Sequence, residues 1–150
     1  MQKNIQRPLQ LATAFILCVV GGLYWYAGQQ QDRYDTSATQ YLRTAFTDIS
    51  SWQRAALQRQ MTEDALRTAT PEQLDALTNR YRPLGHFIAL SDAKFTKLTA
   101  AMSLLGPRRL LSYHGSAQFE HGNADFAATL VIRDDGFRFY NLNFSSPQLR

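Results

Sequence analysis

An α+β fold, with helices packed on one face of a curved antiparallel sheet behind an N-terminal transmembrane helix, is predicted by three features of this 150-residue chain. An uncharged run of twenty residues, Leu9–Gly28 (LQLATAFILCVVGGLYWYAG), stands near its start. Apolar residues at helical spacing fill the stretch from Thr36 to Leu84, and two-residue alternation broken by tight turns fills the last forty residues.

The apolar run would reach about 30 Å as a helix, one hydrocarbon core. Eight of its residues are Leu, Ile, Val or Phe, and it closes on Tyr24-Trp25-Tyr26, rings of the kind that gather at a membrane interface. Lys3 and Arg7 precede it, and no good cleavage site follows it: Trp25 would occupy the −3 position for a cut after Ala27. The sequence therefore predicts an uncleaved single-pass anchor of the bacterial inner membrane. Residues 1–8 form a cytoplasmic tail, 9–28 the span in contact with lipid, 29–35 a short polar linker and 36–146 a periplasmic domain, with 147–150 a tail. Cys18, the only cysteine, lies inside the run and excludes an intrachain disulfide. Cys18, Gly21 and Gly22 mark where another helix could approach closely.

Beyond the run, Ala38, Tyr41, Leu42, Ala45, Phe46, Ile49 and Trp52 follow a helical stripe, so a long or once-broken amphipathic helix is expected over about 36–60. Thr62-Glu63-Asp64 caps a second, short helix. Thr70-Pro71-Glu72-Gln73 is a capping box with proline at the first helical position, followed by Leu74, Leu77, Tyr81 and Leu84 on one stripe; Pro83 and Gly85 end it. His86–Leu90 reads as a first short strand. Phe95–Leu105 fits helix and strand equally, and the structure of residues 93–106 stays open. After the Gly106-Pro107 break, Leu111 to Glu120 alternates cleanly, His121-Gly122-Asn123 turns, Ala124–Arg133 is a strand with apolar groups on both faces, and Asp134-Asp135-Gly136 makes a hairpin into Phe137–Phe144.

Thr70–Leu74, Tyr81–Gly85, the Tyr113–Ala124 pattern (Tyr-x-x-x-Ala-x-Phe-x-x-Gly-x-Ala) and Gly136–Phe139 together resemble small membrane-anchored periplasmic domains of the nuclear transport factor 2-like (cystatin-like) superfold. The resemblance covers roughly residues 36–146. It is closest to uncharacterised bacterial members and more remote from the inner-membrane scaffold subunits of type IV secretion, which are much longer. It implies a superfold that hosts isomerases, dehydratases and pure binding modules alike.

Composition narrows the chemistry. After residue 28 there are 14 Lys and Arg against 12 acids, with signs mixed, which is no footprint for nucleic acid. His114 and His121, seven residues apart with Glu120 between, do not converge as metal ligands must, and His86 follows a helix stop, so no metal or other cofactor is predicted. Asp125 is the one carboxylate placed to face a cavity, and Tyr113 and Tyr140 could orient a substrate beside it; these three are the candidate pocket. No catalytic set accompanies them. Nine Phe and seven Tyr in so short a chain predict an apolar surplus on one sheet face. The expected function is a non-catalytic binding or assembly module of an envelope complex, its partner another envelope protein or a second copy. The alternatives are a small-molecule-binding or enzymatic pocket domain of the same fold and, last, a pilin-like subunit.

Overall fold

The computed structural model describes residues 6–96 and 106–149, with residues 6–12 and 30 described by backbone alone. Its spine is α1, one unbroken helix from Gln6 to Ile49. The 44 residues span about 66 Å. Only the carboxyl-terminal half carries the amphipathic stripe: Ala38, Leu42, Ala45, Phe46 and Ile49 are buried, while the opposite side shows Gln40, Arg43 and Thr47 to solvent.

The helical layer is completed by α2 (Arg54–Gln60), α3 (Glu63–Thr68), α4 (Pro71–Tyr81) and a 3-10 turn, Arg82–Leu84. The 36–60 stretch is broken once: the chain leaves α1 after Ile49 and turns through Trp52, which takes a positive φ of 51°. That strain is offset by a buried indole whose Nε1 donates to the Gly85 carbonyl at 2.9 Å. Thr62 and Thr70 cap α3 and α4 through their hydroxyls, and Gln73 completes the capping box on the Thr70 backbone N–H.

Four strands follow: β1 (Phe87–Phe95), β2 (Leu110–Phe119), β3 (Gly122–Arg133) and β4 (Gly136–Ser145), in the sheet order β1-β2-β3-β4, each antiparallel to the next. β1 is longer than the His86–Leu90 expected. Register shifts at Phe87/Ala89 and Leu90/Asp92 spoil its two-residue period, which is why its alternation is hard to see in the residues. Of the ambiguous segment, Phe95 closes β1 and residues 97–105 lie outside those described.

One face of the sheet takes the helices. Phe46 sits at the centre of this interface, its ring 5.1 Å from Phe126, 5.2 Å from Phe144 and 5.7 Å from Phe87, close enough for edge-to-face contacts. Tyr41 lies across Phe137 and Phe139 at 5.7 and 5.5 Å. The other face is mostly small and polar: Ser112, His114, Ser116, Asp125, Ala127 and Thr129.

The transmembrane helix is not supported. Among the described residues, no helix is long and apolar enough to cross a membrane. At the far end of the apolar run Ala27 is fully buried by protein. The helix then runs without interruption through the segment 29–35, where a linker was expected, into the domain. The signal-anchor and its lipid contact through 9–28 are therefore withdrawn, and the fold is α+β with a projecting helix.

Candidate functional site

The three residues of the expected pocket do not share a face. Tyr113 on β2 pairs with Ala128 on the helix-covered side of the sheet and is 1% exposed. Asp125 on β3 pairs with Ser116 and Ser145 on the outer side and is exposed. Tyr140 also stands outside, 42% exposed, because the β3–β4 register skips from Thr129–Asn141 to Leu130–Phe139 and leaves Tyr140 as the extra residue of a bulge. The skip coincides with an outside tie: Thr62 N–H donates to the Phe139 carbonyl at 2.9 Å, so the α2–α3 junction covers the β4 edge there. Arg108, at 2.7 Å from Asp64, also reaches over the Tyr140 ring.

The helix-covered interior is filled by side chains. Its cleft, between Ile49, Trp52, Leu57, Leu77, Tyr81 and Phe144, offers about 20 Å³, room for a single water. A drug-sized site needs several hundred. Tyr81 closes it, donating to Asn143 Oδ1 at 2.8 Å and accepting from the Phe144 N–H at 3.2 Å. Beside the aromatic cluster, the Tyr113 hydroxyl makes no hydrogen bond among the described residues. Burial, and then the charge of Asp35 and the approach of its carboxylate to the hydroxyl, push its phenol above the usual tyrosine range. Tyr41 is shifted the same way, chiefly by burial; its hydroxyl donates to Gln60 Oε1 at 3.0 Å, while Gln60 and Arg59 both donate to Asp48. The Arg59 hydrogen bond holds the Asp48 carboxyl below its ordinary value. This chain of contacts pins α2 to α1. His114 Nδ1 lies 3.1 Å from Thr96 Oγ1, and among the described residues no three His, Cys, Asp or Glu are grouped to hold a metal.

The apolar surplus lies elsewhere. On α1 before residue 26, Phe15, Ile16, Leu17, Tyr24 and Trp25 are 59–70% exposed, and Val19 and Val20 44% and 55%. No protein-family model, curated protein or solved structure matches the chain. The candidate functional site is therefore this exposed half-helix, taken on its geometry. Cys18, Gly21 and Gly22 lie on it, and both glycines have open space where a side chain would begin. Sequence reasoning placed the surplus on the sheet; the available signal was the apolar run itself.

Where α1 meets the domain, an open groove of about 580 Å³ is lined by Tyr26, Gln29, Asp32, Arg33 and Arg109. Its two arginines and one aspartate mark the border between the apolar arm and a polar helix back. A second charged surface, with Asp64–Arg108 and Asp135–Arg138 at 2.7 and 3.1 Å, consists of exposed ion pairs of the kind that contribute little to stability.

Proposed function

We propose that the chain is a non-catalytic assembly module that associates with a second copy of itself through the amino-terminal half of α1. The observation that carries this is the exposure of seven large apolar side chains on one helical arm. Patches of that size on a protein surface mark interaction sites. Residues Phe15 to Trp25 present on the order of 700 Å² of apolar surface. A stable interface takes about 800 Å² from each partner, and the arm offers an area of that order, spread round most of the helix circumference. The filled interior supports a binding role over a catalytic one, as does the split of Tyr113 from Asp125 and Tyr140 across the sheet. The resemblance to nuclear transport factor 2-like domains, which include pure binding modules, agrees with this proposal.

Light scattering on the full-length chain after size exclusion tests it. The expected mass is about twice the 17.1 kDa of one chain. Val20→Asp should return the protein to one chain mass with the thermal midpoint of the domain unchanged, since Val20 lies outside the core. A wild-type protein that runs as a single chain at every concentration would overturn the proposal.

A further inference from the structure

The groove at the root of the arm brings two arginines together. Tyr26, Gln29 and Arg33 follow one another at spacings of three and four along α1, so they share one face of the helix, with Asp32 beside them. Arg109 joins them from the residue just before β2. Elsewhere the guanidiniums are matched to carboxylates: Arg54 with Asp75, Arg59 with Asp48, Arg108 with Asp64 and Arg138 with Asp135. Among the described residues neither Arg33 nor Arg109 enters an ion pair, and Asp32 pairs with neither of them.

Both arginines are anchored. The Arg33 guanidinium lies over the Tyr34 ring, 5.5 Å from its centre, and that ring stands edge-on to Phe137 at 6.3 Å. Stacking occupies the face of a guanidinium and leaves its N–H edges to donate. Arg109 is fixed through its backbone, whose carbonyl accepts from the Ile132 N–H at 3.2 Å.

Two like charges on one concave surface of about 580 Å³ repel each other until an anion lies between them. The space falls within the range of small-molecule sites. A planar carboxylate satisfies one guanidinium fork, whereas a tetrahedral phosphate has oxygens enough for both. Asp32 accepts hydrogen bonds only, so it disfavours a second phosphate and favours a hydroxyl on the same molecule.

We propose that the groove binds a small, soluble phosphate monoester, with Arg33 and Arg109 on the phosphate and Asp32 on a hydroxyl of the attached group. The site lies past Trp25, outside the apolar stretch taken for self-association, and stands or falls apart from it.

Isothermal titration of the full-length chain at about 0.15 M salt tests this, with glucose 6-phosphate, inorganic phosphate and glucose as probes. Glucose 6-phosphate should bind once per chain and more tightly than phosphate, and glucose should not bind. Arg33→Gln and Arg109→Gln should each weaken it roughly tenfold or more, the usual worth of a hydrogen bond to a charged group. Arg43→Gln, which removes an exposed arginine of α1 outside the groove, should leave it unchanged. Asp32→Ala should tighten inorganic phosphate and remove most of the preference for the sugar ester. The substituted side chains are all exposed, so thermal midpoints should match the wild type. No binding of glucose 6-phosphate overturns the proposal, as does an equal loss in Arg43→Gln, which means diffuse charge. A preference that survives Asp32→Ala overturns the role given to Asp32. Phosphatidic acid carries the same phosphate chemistry, so phosphatidylcholine vesicles with and without it are titrated alongside; binding to those vesicles alone overturns the soluble ligand.

Discussion

Gly115 shows how much one residue can fix. It lies on β2 opposite Ala93, next to the register shift of β1 between Leu90 and Asp92. A Cβ built there would be driven into the Asp92 carbonyl, 2.7 Å from its carbon, with the Ala93 Cα at 3.0 Å. Both obstacles are backbone and cannot swing aside. Gly115→Ala should cost about 3 kcal/mol, at the upper end of overpacking penalties, measured as a lower urea midpoint at unchanged slope. Nothing in the sequence marks this glycine: it sits in a clean alternation of β2, and the reason for it lies on another strand. Tyr140 teaches the same lesson. Its position in the alternation is right for a pocket only if β4 keeps its register, and a single bulge turns it out to solvent.

Elements were more legible than residues. The stripe from Ala38 to Trp52 places the buried face of α1 correctly because a helix repeats its geometry at every turn, and the Thr70–Gln73 box forms as its spacing requires. Asp134-Asp135-Gly136 likewise closes β3 onto β4, with Gly136 at a φ of 123°. Each of these signals is local. Thr70→Ala should lower stability by about 1 kcal/mol, the usual worth of an N-cap, and Thr70→Ser should restore most of it in the same denaturation assay. The two elements that were misjudged depend on distant partners. β1 lost its period to shifts against β2, and the apolar run of α1 carries no mark that separates a lipid-facing helix from one that continues into a domain.

The molecule as a whole responds to pH through groups that the two layers enclose. Tyr41 and Tyr113 hold their protons in the folded state past the range in which free tyrosine ionises, about pH 10. The unfolded chain therefore releases protons first, and the stability tied to these groups is complete below about pH 10 and drains away above it. Urea midpoints should fall between pH 9 and 11, and Tyr113→Phe should flatten the fall. At the acid end Asp48 acts with the opposite sign: its carboxyl is held low by Arg59, so its contribution is present above the normal carboxylate range and lost on acidification through it.

Because α1 is unbroken, the arm borrows its helicity from the domain. An isolated helix of roughly twenty residues is marginal in water, its first turn costly to nucleate. Here the turns between Ala38 and Ile49 are fixed by the sheet, so the arm has only to propagate from a nucleus already made. A chain whose domain has not folded would hold no ordered arm, and so no seam to offer. Under the self-association proposed above, pairing becomes a proofreading step, in which each copy recognises in the other the completed packing of a sheet tens of ångströms away.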